Sequence, residues 1–543
     1  MPRFGVLLRA CFWIAAWMLS VHIKGATIVA GTGEAGLRAA IAAAQEGDIV
    51  LLTTGVKLEG TVPVDKGLTI RFNQPNEWYN AIHGDFDGAL LHLAADGIIL
   101  ENLTLSGSPL TDALRLQTNA LLRDCAIRYC RRPLAGADWY TPLFTLRLER
   151  VTVTHNQDGV TCWNLEAKDS TFSFNQGYAG AAAYTGNIEG CRFENNHGNG
   201  LSLNYGTVKN CVFRFNSETG FYTEPDPGML AFSGCLFYAN AAGGVHLGEQ
   251  LSATMDNCTF TRHTGWPAVM VREADVLFRH CTVADNVVHG DPGAWPPRGG
   301  AFMNHFGRME LQNCIVADNP TNDSPYAAGL GGPWIDGGGN VIGGPAGLGF
   351  LRDNGGPTFS LLPLPGSPAI DAGEPTDLLR DARGLSRVAG AAPDAGAIEA
   401  NAGPVADADG DGLPDVWEQA RALDPSNPAD ASSDTDGDGQ NALAEFKSGT
   451  EPSDGQSFLR FEELIVPPTP LLQPFPRHVY LLWSYVPGVR YTIETSTDLR
   501  QWSKLPLSGE PYDRKDGRLR LVYIIEARAL KAFYRVVAES QNN

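Results

Sequence analysis

A six-residue pattern occurs ten times in this chain, and it limits the possible folds more than any other feature. The clearest copies are Cys191-Arg192-Phe193-Glu194-Asn195-Asn196 and Cys211-Val212-Phe213-Arg214-Phe215-Asn216. The first position is held by Leu103, Cys125, Val151, Ser170, Cys191, Cys211, Cys235, Cys258, Cys281 and Cys314. Two residues on stand Leu105, Ile127, Val153, Phe172, Phe193, Phe213, Phe237, Phe260, Val283 and Val316. Five residues on, Asn recurs at Asn156, Asn175, Asn196, Asn216, Asn240, Asn286 and Asn319. Most copies start 19 to 26 residues apart, a period that signals a solenoid.

On a strand, first and third positions point the same way, so the Cys and the Phe both face inward. One such strand cannot bury its apolar face alone. Stacking coil on coil buries a continuous core and pairs every strand edge except the two ends. In register, like residues lie above like, and the Asn column falls at a turn where each amide reaches the next coil. The pattern resembles a right-handed parallel β-helix with an asparagine ladder, over roughly residues 27 to 400. The expected fold class is all-β: this solenoid, an N-terminal capping helix, a calcium-loop spacer and a small C-terminal β-sandwich.

A formal charge of −20 argues against nucleic acid or an anionic membrane as a partner. It also disfavours a free acidic polysaccharide unless calcium bridges the two. Arg3 and Arg9 precede an apolar run from Ala10 to Ile23, short for a membrane span. Residues 1–25 therefore read as a secretory signal cleaved near Gly25 or Ala26, with no transmembrane segment left in the mature chain. The expectation is a secreted or cell-surface monomer. Of the ten cysteines, seven share the first position of the repeat, so they read as a column of small buried hydrophobes with inert thiols. Cys130 and Cys162 fall outside that column, and their pairing stays open.

After the signal, Leu37, Ala40, Ile41 and Ala44 stand at helical spacing, which predicts a short amphipathic helix covering the first coil. Residues 26–400 are expected to form the β-helix. Its last part, 337–399, contains Gly337-Gly338-Gly339-Asn340-Val341-Ile342-Gly343-Gly344, Asn354-Gly355-Gly356-Pro357-Thr358, Leu362-Pro363-Leu364-Pro365-Gly366-Ser367-Pro368-Ala369-Ile370-Asp371-Ala372-Gly373, Asp381-Ala382-Arg383-Gly384 and Pro393-Asp394-Ala395-Gly396-Ala397-Ile398-Glu399. This resembles the choice-of-anchor Q domain of secreted bacterial proteins. Ala382, Ala395 and Ile398 depart from its usual Gln, Ile and Phe. The resemblance implies surface display and no settled reaction. Residues 477–540 alternate as strands do and are expected to form the β-sandwich.

Residues 407–455 contain two acidic loops. Asp407, Asp409, Asp411, Gly412, Asp415 and Glu418 occupy positions one, three, five, six, nine and twelve of a calcium loop. Asp434, Asp436, Asp438, Gly439 and Glu445 repeat the pattern. Calcium takes six to eight oxygens, Gly at position six permits the sharp turn, and Glu at twelve can bind through both oxygens. The carbonyls of Leu413 and Gln440 would complete the shells. The segment resembles thrombospondin type 3 and dockerin-like repeats, which implies structural Ca2+ and a stiffened spacer.

On the β-helix, a second strand follows Gly159, Gly180, Gly200, Gly220 and Gly244. Its outward positions bring Trp163, Tyr184, Asn204, Tyr222, Glu224 and His246 into one stripe. Aromatic rings among polar groups suit a sugar chain, which offers an apolar ring face and hydroxyl edges. The expected function is binding of an extracellular glycan or another cell-surface component. The alternative is a carbohydrate-active enzyme of pectin-lyase-like fold, a polysaccharide lyase or glycoside hydrolase. Its candidate groups are Glu224 with Asp226, Asp112 and Asp124 near Arg115, Arg123 and Arg128, His246, and Arg272 with Glu273.

Overall fold

In the computed structural model, the described residues are 25–73, 81–135, 144–286, 300–319, 329–349, 351–400, 408–413, 415–448 and 450–455. Seven strand segments between 461 and 539 complete them. Residues 1–24 of the expected signal, Asp407 and the Pro-rich stretch 467–476 lie outside the described residues. The chain divides into two compact units, residues 1–151 and 152–543.

The first unit is built of parallel strands. Thr27–Val29, Ile49–Leu52, Thr69–Phe72, Ile98–Glu101, Ala120–Arg123 and Thr145–Glu149 form one face. Val56–Leu58, Ala81–Gly84, Thr104–Ser106 and Ala126–Arg128 form a second. Val62–Val64, Gly88–Leu93, Thr111–Leu116 and Leu134–Ala135 form a third. Helix α1, Gly33–Ala43, buries Leu37, Ala40 and Ile41 against the strands at 49–52 and 56–58. Cys130 stands five residues after Cys125, where other copies of the repeat hold Asn, and its Sγ donates to the Arg128 carbonyl at 3.4 Å.

The second unit repeats the plan with longer rungs. Three-residue strands at 152–154, 171–173, 192–194, 212–214, 236–238, 259–261, 282–284 and 315–317 stack in register, so that Phe172, Phe193, Phe213, Phe237 and Phe260 lie one above another. Their rings are nearly parallel, with centroids 4.7 to 5.0 Å apart. The other sheet begins with Val160–Lys168, Ala179–Glu189 and Asn199–Lys209. From residue 221 on, each rung is split into two shorter strands. The fold is a right-handed parallel β-helix.

Two bends per coil explain why the repeat is six residues long. The residue before each hexad and the residue before its ladder position take a left-handed backbone: Asn210 at φ 54° and Phe215 at 56°, Asn257 at 57° and Arg262 at 59°, Asn313 at 54° and Asp318 at 53°. Asn, Asp and Gly tolerate this region, and the bulkier residues are held there by the stacked coils. Between the bends, the ladder closes the turn. Asn196 Nδ2 donates to Asn216 Oδ1 at 3.0 Å, and Asn216 Nδ2 to Asn240 Oδ1 at 2.8 Å. Each amide also reaches a carbonyl of the inward aromatic column, as Asn216 does to Phe193 O at 2.9 Å.

Residues 345–400 fold back over the hexad face of the last coils. Leu351 and Leu361 pack on Leu236, Tyr238 and Ala284, and Ala346, Ala369 and Ala395 pack on Ile315 and Ala317. The outward hexad residues Leu236, Tyr238, Ala284, Ile315 and Ala317 are thus apolar where this segment covers them. Asp381, Arg383, Asp394 and Glu399 of its motifs, and Arg387 beside them, are buried and structural, whereas Asp371 is exposed. Arg383 donates to Asp381 Oδ2 and to the Glu399 carbonyl, while Arg387 reaches the carbonyls of Gly396 and Ala397 and the Oδ1 of Asn257 on the β-helix. His280 and Asn313 tie the same segment down through Asp394 O and Glu374. Beyond residue 460, the strands at 461–465, 477–484, 511–513 and 519–527 pair antiparallel, and those at 490–496, 503–505 and 533–539 form a second antiparallel set. Among the described residues, no helix is long and apolar enough to cross a membrane.

All nine cysteines among the described residues are buried free thiols, Cys130 and Cys162 included. Burial pushes the Cys125, Cys130 and Cys162 thiols up to about 12.

Candidate functional site

Two places in the second unit gather functional side chains. The first is a groove along the β-helix. Register alone stacks Thr161, Ala182, Ser202, Tyr222, His246 and Met270 in one outward column. Ala182 and Ser202 are nonetheless buried. Tyr178, from the bend before its strand, lies near this column and donates its hydroxyl to Glu224 Oε1 at 2.9 Å. Burial and the neighbouring Glu224 carboxylate hold the Tyr178 phenol well above its ordinary value. Its ring meets Tyr222 edge-on at 6.1 Å, and Tyr222 meets His246 edge-on at 5.1 Å.

A groove of about 680 Å³ runs beside these rings. Its other wall comes from the bends one to three residues past the ladder position: Gln176, His197, Glu218, Ala242 and Trp266. Tyr178 is 49% exposed and Trp266 43%. Asn199 and Thr219 lie low in the groove, with the Thr219 hydroxyl 2.6 Å from Asn199 Oδ1. Burial lowers the affinity of His246 for a proton, and Arg272 and His305 add to this.

The expected stripe is thus divided. Tyr222 and His246 line the groove. Glu224 borders it through Tyr178. Trp163 and Tyr184 belong to a separate ladder, with ring centroids 4.6 Å apart, which continues to Tyr205 at 5.4 Å. Asn204 is a correction: it is fully buried, and its side chain holds the bend at Glu224 and Asp226 through the Glu224 N–H and the two carbonyls. It does not face a ligand. Alternation along the strand counted Asn204 outward, whereas the chain at 224–226 folds over it. The residues missed were Gln176, Tyr178, His197, Glu218, Trp266 and Met270. Reading the column one to three residues past each ladder position would have found all but Met270.

Three of the other candidate catalytic groups are held in ion pairs. Asp112 is buried beneath a double ion pair, with Arg131 at 2.7 Å and Arg132 at 2.9 Å. Asp124 pairs with Arg150 at 2.5 Å, and Arg272 with Glu249 at 3.1 Å.

The second place is the acidic segment. Each loop runs into a short helix, α2 at Asp415–Ala420 and α3 at Ala442–Ser448. Gly412 and Gly439, at position six, take φ of 93° and 94°. Within each loop, carboxylates accept from backbone N–H groups: Asp411 from Leu413, Asp436 from Asp438 and Asp438 from Gln440, each through Oδ1, and Asp434 from Gly437 through Oδ1 and from Gly439 through Oδ2. Asp415 accepts from the Ala408 N–H at 2.8 Å. Oxygens of Asp409, Asp411 and Glu418 come within 4.8 Å of one another, as do those of Asp434, Asp436 and Asp438. Glu418 is fully buried, and neither of its carboxylate oxygens has a hydrogen-bond partner among the described residues. Burial, with Asp411 and Asp409 beside it, pushes Glu418 up to about 7. Burial, with Asp436 and Asp438, pushes Glu445 up to about 8. Such a set of crowded oxygen donors suits a hard divalent cation.

The two loops share a core of Leu413, Trp417, Ala431 and Ala442. They are also fastened to the β-helix. Arg192 on the strand at 192–194 pairs with Glu451 at 2.5 Å, and Arg421 reaches the same Glu451 at 3.3 Å while lying over the Trp417 ring.

These features define a parallel β-helix with a grooved flank and an appended acidic module. Residues 182–344 match a family model described as the right handed beta helix region. That stretch includes the column from Ala182 to Met270 and most of the groove. No curated protein matches the chain.

Proposed function

We propose that this is an exported or surface-displayed β-helix protein that binds a glycan in the groove between Tyr178 and Trp266. The observation that carries the reading is the groove itself: the exposed Tyr178 ring, with Tyr222 and His246 beside it, lies across from a wall of Gln176, His197, Glu218 and the exposed Trp266 ring. Rings accept the apolar face of a sugar, and the facing amide, imidazole and carboxylate can bond its hydroxyls. A glycan array probed with the wild type and with Trp266→Ala tests this reading. Binding lost in the variant supports it, and binding unchanged by the variant opposes it.

In this reading, residues 1–25 export the chain and α1 caps the first coil. Residues 337–399 are a choice-of-anchor Q-like end, and residues 477–540 form a small β-sandwich. The loops at 407–455 hold two Ca2+ ions, one on Asp409, Asp411, Asp415, Glu418 and the Leu413 carbonyl with Asp407, the other on Asp434, Asp436, Asp438, Glu445 and the Gln440 carbonyl. The buried Glu418 carboxylate supports the first site, because an unpaired buried charge is costly and a cation removes the cost. Calcium there is structural: it orders a module that Arg192 and Arg421 clasp through Glu451.

A further inference from the structure

We infer that the groove is built for an uncharged glycan lying along the solenoid axis, not for an acidic one; this rests on the glycan reading of the same groove. The direction follows from the topology. The groove's wall takes one contribution from each of five coils, at Gln176, His197, Glu218, Ala242 and Trp266. Neighbouring rungs are about 4.8 Å apart, so the wall extends about 19 Å parallel to the axis. An extended polymer fits such a channel better than a compact small molecule.

The charge preference follows from the lining. Glu218 is exposed on the wall, and the Glu224 carboxylate stands behind Tyr178. Among the described lining residues there is no Lys or Arg. The nearby Arg272 is paired with Glu249. A uronic acid chain would set its carboxylates against Glu218 in a partly dehydrated channel, where like charges repel more strongly than in water. A neutral chain meets the same groups favourably. Its hydroxyls donate to the carboxylate, which is an acceptor only, and its ring faces rest on Tyr178 and Trp266. Asn199 is engaged within the protein, its Oδ1 accepting from the Thr219 backbone and hydroxyl and its Nδ2 donating to the Tyr178 carbonyl.

The test titrates the full chain, at fixed millimolar calcium, with two sets of hexasaccharides: neutral ones of glucose, xylose or mannose, and uronic ones of galacturonate or mannuronate. At least one neutral member is expected to bind, and to bind at least tenfold more weakly to Trp266→Ala and to Tyr178→Ala with unchanged melting temperatures. Glu218→Lys, an exposed substitution, is expected to raise the affinity for a uronic oligomer at least tenfold. A uronic oligomer that binds the wild type as tightly as the best neutral one, and loses binding in Trp266→Ala, would overturn the charge inference while leaving the glycan reading standing. Binding of neither set would remove both.

Discussion

His263 stands where the ladder otherwise holds asparagine, and its Nδ1 lies 3.2 Å from the backbone nitrogen of Asn240. On the next coil, the Asn286 side chain accepts from the His263 backbone N–H at 3.1 Å. An imidazole thus continues the column: the same Nδ1 also lies 3.2 Å from the Asn240 carbonyl, and the buried ring is held neutral. Burial pushes the His263 imidazole down to about 4.

The sign of the pH effect follows. The unfolded chain takes a proton on this histidine near the ordinary value, and the folded chain resists it. Stability from neutral His263 is complete above about pH 6.5 and is lost as pH falls toward 4, by about 3 kcal/mol in all. His280, buried and pushed down to about 3, acts in the same direction. Denaturant melts of the wild type and His263→Asn between pH 7 and 4 check this. The variant should lose less stability over that window, and equal losses would mean that His263 is not the titrating group.

Asn216→Leu should destabilise the β-helix by about 1 to 3 kcal/mol, because it leaves the Asn196 N–H and both ladder neighbours without their bonds in a buried column. Phe213→Ala should cost more, about 3 to 5 kcal/mol, since it opens a cavity in a tight stack. Equilibrium urea unfolding measures both. A ladder variant as stable as the wild type would contradict the role given to the column.

The free thiols make a separate prediction. A reducing agent should leave the melting temperature unchanged, because no described cysteine is paired. A clear fall on reduction would show a cross-link.

Chelation should expose residues 408–455 to protease while the β-helix keeps its circular dichroism, because the ladder makes no use of the loops. Asp411→Ala with Asp438→Ala should mimic chelation, and titration should count about two ions per chain. A double-mutant cycle on Arg192 and Glu451 should give a coupling of about 0.5 to 1 kcal/mol with calcium present, modest because both side chains are partly exposed. No calcium bound at millimolar concentration would sink this part of the account.

The hexad exposed the solenoid because two periodicities coincide in it: alternation within a strand and recurrence from coil to coil. The inward Cys and Phe columns and the Asn ladder were legible for that reason. His263 was not, since a histidine at a ladder position has no signature of its own. The left-handed bends at Phe174, Phe215 and Arg262 were hidden too, because stacking rather than residue preference holds them. The groove was half legible. Tyr222 and His246 come from a strand, where alternation predicts direction. Tyr178 and Trp266 come from bends, where it does not. Asn204 misled the reading because burial by a folded-back bend is invisible to a count along one strand.

Hydroxyl-radical footprinting with and without a bound oligosaccharide tests the central claim most directly. Tyr178, Tyr222 and Trp266 should be protected by the ligand, while Trp163, Tyr184 and Tyr205 on the separate ladder should keep their reactivity. Protection confined to Trp163, Tyr184 and Tyr205, or none at the groove rings under saturating ligand, would contradict the assignment of the groove as the glycan site.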